Sequence, residues 1–102
     1  MNNTKWNEIF RAFYENECKD VDSVKVFYRT KTLQGYISDW ESMWERFGCE
    51  FKNCKQFEWL QIQLTESNRC FVINTLKRIH IPGEMKNNIV TIYGYRQDCD
   101  YF

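Results

Sequence analysis

The chain has 102 residues, with 14 basic against 14 acidic side chains, 43% hydrophobic residues, one proline, four tryptophans, six tyrosines and eight phenylalanines. That aromatic load excludes disordered and collagen-like chains, and a chain of this length builds a single core without a metal or disulfide staple. Zero formal net charge excludes the overall field that draws a protein to phosphate backbones or anionic membrane.

Trp6, Ile9, Phe10 and Phe13 recur at i, i+3, i+4, i+7, which predicts an amphipathic helix over about 4–17, capped by Asn3 or Thr4. Residues 24–30 place Val24, Val26 and Tyr28 on one face and Lys25, Phe27 and Arg29 on the other, a strand pattern rich in branched and aromatic side chains. Gln34-Gly35 reads as a tight turn into a short strand around Tyr36-Ile37. Ser38-Asp39-Trp40-Glu41 fits a capping box. With Trp40, Met43, Trp44 and Phe47 at helical spacing and Gly48 at the C-cap position, it predicts a short helix over 39–47. A β-hairpin whose aromatics fall at those intervals is the competing reading.

Phe57 to Leu64 alternates, with Leu60, Ile62 and Leu64 inward and Gln61 and Gln63 outward, and is the clearest strand. Thr65 caps a second long helix over 66–79 whose Val72, Ile73, Leu76 and Ile79 face the core, and Pro82-Gly83 ends it. Ile89 to Arg96 is a last strand, with Val90 and Ile92 on one side and Ile89, Thr91, Tyr93 and Tyr95 on the other. The predicted order, α, β, β, short α, β, α, β, makes one α+β domain over 1–102. Its expected architecture is a two-layer sandwich, a mainly antiparallel three- to four-stranded sheet with two long helices on one face and a short third helix.

No apolar run nears the ~20 residues of a membrane helix, and no secretory leader opens the chain. A cytoplasmic protein is expected. Five cysteines, an odd number, fit free thiols in a reducing compartment.

Cys49 and Cys54 stand at the upper edge of zinc-ligand spacing, but Cys18, Cys70, Cys99 and His80 supply no second pair at a diagnostic interval, so no metal site is expected. His80 is the only histidine and is explained by the dipole at the end of the second helix. Aspartates flank Cys99 and disfavour its thiolate. No nucleophile elbow or phosphate-cradling glycine loop exists. With no assembled nucleophile, base and oxyanion donors, the chain is expected to be non-enzymatic and without cofactor.

Two macromolecular readings are left. The α-β-β-β-α core order is similar to double-stranded-RNA-binding modules, and Lys25, Arg29 and Lys31 give residues 23–34 a charge of +3. Tyr93, Tyr95 and Phe27 could offer rings for stacking. The overall charge balance argues against nucleic acid. Residues 8–22 and 38–50 each carry −3, and carboxylates around Trp40 and Trp44 would make an aromatic anchor rimmed by charge, as protein interfaces use. The same tryptophans are also explained as core, with the acids a solvated face, and periodicity alone favours that reading.

Asn3-Thr4-Lys5-Trp6, Glu58-Trp59-Leu60-Gln61-Ile62 and Ile92-Tyr93-Gly94-Tyr95 resemble a bacterial family of small single-domain proteins classed as a domain of unknown function. The resemblance implies no activity and no catalytic residue. It implies kinship with the small cytosolic proteins that bacteria encode beside toxins, namely immunity proteins that bind one toxin domain and block it. The expected partner is therefore a cognate toxin, met through Glu15, Glu17, Asp39, Trp40, Glu41, Trp44 and Glu45 by charge complementarity with a basic cleft. A small regulatory or RNA-binding module, using residues 25–31 with Tyr93 and Tyr95, is the alternative.

Overall fold

The computed structural model describes residues 3–44, 56–95 and 101–102. The fold is α+β and, among the described residues, has two long helices and a four-stranded antiparallel sheet. In chain order the elements are α1 (Asn3–Glu17), β1 (Phe27–Thr32), β2 (Phe57–Gln63), α2 (Arg69–Ile79), β3 (Gly83–Lys86) and β4 (Ile89–Tyr93). Across the sheet the strands lie β1-β2-β4-β3, antiparallel at each junction.

The apolar stripes do what their spacing predicts. Trp6, Ile9 and Phe13 of α1 and Val72, Leu76 and Ile79 of α2 are buried, in one cluster with Tyr28, Leu60, Ile62, Val90 and Ile92 of the sheet. Fully burying side chains of this size contributes about 1.5–3 kcal/mol each, so this cluster dominates folding. The helices also meet at their ends, where the Lys5 ammonium donates to the Ile79 carbonyl at 2.5 Å. A cation there satisfies an orphan carbonyl at the negative end of the helix dipole.

The second helix begins later than the periodicity predicts, at Arg69, after one tight turn. Thr65 still organises that turn: its N–H donates to Asn68 Oδ1 (2.8 Å), and the Asn68 N–H donates back to Thr65 Oγ1 (3.2 Å). The reciprocity is that of a capping box with Asn in place of Glu. The helix stops at His80, whose backbone is left-handed (φ 63°), before Pro82 intervenes. Pro82 instead bridges to Tyr101, and the Phe102 N–H donates to the Ile81 carbonyl.

Strand β3 is absent from the sequence reading. Asn87 and Asn88 both have positive φ, 53° and 65°, and turn the chain from β3 into β4. Asparagine reaches that region at low cost, which makes Asn-Asn a hairpin turn. Among the described residues the order is α-β-β-α-β-β, with two strands rather than three between the long helices, so the likeness to an α-β-β-β-α module is not seen there. The first strand is likewise displaced to 27–32.

The predicted short helix is corrected over 39–43. The chain turns at Gly35 (φ 97°), and the Gly35 N–H donates to the Thr32 carbonyl (3.0 Å). It then runs back along β1, bridging Lys31 to Ile37 and Tyr28 to Glu41. Over 37–41 the hairpin alternative is the better description, whereas Trp44 is helical. Ser38 caps no helix, because its Oγ accepts from the Thr30 N–H (3.0 Å). The end of the predicted helix, residues 45–47 with Gly48, lies outside the described residues, as does Arg96.

Two bulges decide which side chains face which way. Between the two bridges the returning segment advances four residues, Ile37 to Glu41, against three in β1, Lys31 to Tyr28. Asp39 and Trp40 thus share the place opposite Arg29. In β2 the register skips Glu58, pairing Trp59 with Lys31 but Phe57 with Thr32. An extra residue flips everything beyond it to the other face. Phe57 therefore turns into the core, packing edge-on to Trp6 at 5.8 Å, although strict alternation points it outward. Gly94 lies against this bulge, donating to the Glu58 carbonyl (2.9 Å), and a Cβ there would run into the Phe57 carbonyl.

Two buried asparagines fix the approach to β1. Asn16 grips Val24 twice, Nδ2 donating to its carbonyl (2.8 Å) and Oδ1 accepting from its N–H (3.1 Å). Asn68 Nδ2 donates to both the Lys25 and the Gln63 carbonyls, each at 3.1 Å.

Candidate functional site

Residues of the four strands that point away from the core form three ranks, set by the pairing registers. The first is Lys31, Trp59 and Tyr93; the second Arg29, Gln61, Thr91 and Glu84; the third Phe27, Gln63, Ile89 and Lys86. Alternation demands this division, since Tyr28, Leu60, Ile62, Val90 and Ile92 take the inner positions. The outer members are not buried; Phe27, Arg29, Lys31, Trp59, Gln61, Thr91 and Tyr93 are half-buried, and Gln63, Glu84 and Lys86 exposed.

The middle rank is a relay of hydrogen bonds. Arg29 Nε donates to Gln61 Oε1 at 2.8 Å, and Gln61 Nε2 donates to Thr91 Oγ1 at 3.2 Å. The Arg29 guanidinium also lies over two rings, 4.6 Å from the centre of Trp40 and 5.8 Å from that of Trp59. Trp40 reaches it because the bulge at residues 39 and 40 re-aims that side chain across the sheet edge. Each cation–π contact at a partly exposed site is worth about 0.5–1 kcal/mol, and together they hold a flexible side chain in one pose.

Arg29 makes no ion pair among the described residues. The neighbouring charges are otherwise matched: Lys31 pairs with Glu58 at 2.8 Å, and Glu84 accepts from the Tyr93 hydroxyl at 2.7 Å. Lys25 Nζ sits 5.6 Å from the Phe27 ring. Among the described residues this face thus carries Lys25, Arg29, Lys31 and Lys86 against Asp39, Glu58 and Glu84, an excess of one positive charge.

The residues expected to bind a toxin are dispersed. Trp44 is 1% exposed, stacked on Phe13 (4.6 Å) and tilted against Tyr28 (4.4 Å), and its Nε1 donates to the Val26 carbonyl (3.1 Å). It is a core residue, and its place as a surface anchor is corrected. Trp40, half-buried, sits on Arg29, with exposed Asp39 beside it. Glu41 Oε1 accepts from the Met43 N–H (3.2 Å), so its carboxylate is occupied locally. Glu15 lines a groove between the helices with Glu8, Arg11 and Arg78. Glu17 lines a different depression, with Ser42 and Trp44. Glu45 lies outside the described residues.

Of the alternative set, Lys25, Arg29, Lys31, Phe27 and Tyr93 do come to one face. Trp59 and Gln61 join them, and period-2 parity could have flagged both, since they share the outward parity of β2. Trp40 could not be placed without knowing the bulge.

The thiols of Cys18 and Cys70 are free and exposed, and Cys49, Cys54 and Cys99 lie outside the described residues. Among the described residues no group of three or more His, Cys, Asp or Glu side chains is placed to hold a metal ion. His80 Nδ1 donates to the Phe102 carbonyl at 2.9 Å and its ring stacks on Tyr101 at 5.0 Å, so the imidazole ties down residues 101–102. Among the described residues no helix is long and apolar enough to cross a membrane.

No curated protein and no solved structure matches the chain. A family model does match, over residues 1–99, and the chain belongs to that family of unknown function, DUF6678.

Proposed function

We propose that this protein is a non-catalytic recognition domain that binds another macromolecule through the outward face of its sheet. In this reading the helices back a two-layer sandwich and, among the described residues, do not cover the opposite face, consistent with helical and strand side chains sharing one core. The supporting observation is Arg29. A half-buried cation held by Gln61, Trp40 and Trp59, with no carboxylate partner among the described residues, is a prepared site for a negative group, because its rotamer entropy is lost before binding. The test is capture of partners from cells that encode the protein, comparing wild type with Arg29→Ala and with Glu15→Gln. A partner retained by wild type and Glu15→Gln but lost with Arg29→Ala supports the reading. Retention by all three refutes it.

A toxin-neutralising immunity protein of the cytoplasm is the second reading, and one observation favours it. After α1 the exposed acids Asp20 and Asp22 flank Val21, which is 73% exposed, an apolar side chain rimmed by negative charge. Binding would then run through this loop with Glu15 and Glu17, Asp39 adding charge from beside β1. Mixing the protein with a toxin domain encoded beside its gene tests this, and absence of binding at micromolar concentration removes it.

A further inference from the structure

We infer that the ligand of the outward face is a single-stranded nucleic acid, with a phosphate on Arg29 and unpaired bases against the rings in the adjoining ranks. The inference rests on the reading that this face is the working surface. Arg29 spends Nε on Gln61, and among the described residues no hydrogen bond or ion pair engages the two Nη groups and their fork of donors. A guanidinium fork matches two oxygens of one phosphate, where an ammonium would act only as a point charge.

The rings stand where bases would need them. Trp59 and Tyr93 are paired partners on adjacent strands, roughly 5 Å apart in backbone spacing, and Phe27 lies two residues along β1 from Arg29, roughly 7 Å away. The cation is therefore flanked by aromatic side chains on both sides along the strand direction. An acidic peptide would satisfy Arg29 but has no flat groups to set against these rings. A duplex would offer phosphates but keep its bases stacked away from them. Unpaired bases supply both, and stacking on aromatic side chains tolerates any base. The small charge excess of the face, not of the molecule, is what the strand meets. Zero net charge then predicts weak binding with a shallow salt dependence, unlike that of a basic protein.

The experiment is fluorescence anisotropy with labelled 12-nucleotide single strands, the matching duplex and a labelled poly-glutamate peptide, from low to physiological salt. Expected is binding of the single strands ahead of duplex and peptide. One phosphate contact gives a log–log salt slope near −0.7. Arg29→Ala and Trp59→Ala should each weaken binding about tenfold, as loss of one charged contact or one stacked base does, with melting curves showing both variants folded. Arg29→Lys keeps the charge and loses the fork, and should bind more weakly than wild type. No single-strand binding at about 100 μM, or binding indifferent to these substitutions, overturns the inference. Preference for poly-glutamate, or Arg29-dependent capture of a protein alongside silent oligonucleotides, overturns it while sparing the recognition face. Capture indifferent to Arg29 defeats the face itself.

Discussion

The same strands present two unlike faces. On the inner one Leu60, Ile62, Val90 and Ile92 are wholly excluded from solvent and interact by contact alone, so their position follows from pattern. On the outer one Arg29, Gln61 and Thr91 are held by directed hydrogen bonds, with two indole rings closing on the guanidinium. Nothing in the core requires that arrangement. In the proposed reading, a surface held this tightly with no share in the core serves recognition.

Substitutions can widen or erase the contrast. Trp44→Ala removes an inner side chain packed on Phe13 and Tyr28 and should cost about 3–5 kcal/mol, read as a large fall in the urea midpoint. Asn68→Ala leaves the Thr65 N–H and the Lys25 and Gln63 carbonyls without their side-chain partner. The expected loss is about 2–3 kcal/mol, checked by the same titration. On the outer face Arg29→Ala should lower stability by only about 1–2 kcal/mol, the scale of its two cation–π contacts, while weakening partner binding about tenfold. A loss as large as that of Trp44→Ala would mean that the outer face is structural after all. Lys31→Ala, which breaks the partly exposed pair with Glu58, should shift stability by less than about 1 kcal/mol, a difference that fades in high salt.

Periodicity made most of this fold legible. The stripes of both helices and the inner faces of β1, β2 and β4 are properties of each segment alone, and each appears at its predicted spacing. Strand β3 escaped because Gly83-Glu84-Met85-Lys86 has no apolar alternation; its signal was the Asn87-Asn88 turn that follows. Helical spacing at 40, 43 and 44 misled because the bulge opposite Arg29 puts Trp40 outside and Trp44 inside, and one chain read alone cannot show a register shift between two. Phe57 turned inward for the same reason at the second bulge. The candidate site shares this property. Lys25, Phe27, Arg29 and Tyr93 are visible as parity, but what joins them to Trp40, Trp59 and Gln61 is pairing between distant segments.

The margins of the sheet bear on how the protein behaves in concentrated solution. Along β1 the returning segment 37–41 occupies backbone groups that would otherwise template a foreign strand. The other border, β3, is four residues long with Glu84 and Lys86 exposed, and Tyr101 covers its start at Pro82. Short, charged and partly covered borders resist edge-to-edge stacking. A molecule with 18% aromatic residues can thus keep rings near its surface without seeding fibrils, and its solubility should depend more on the hairpin at Gly35 than on net charge.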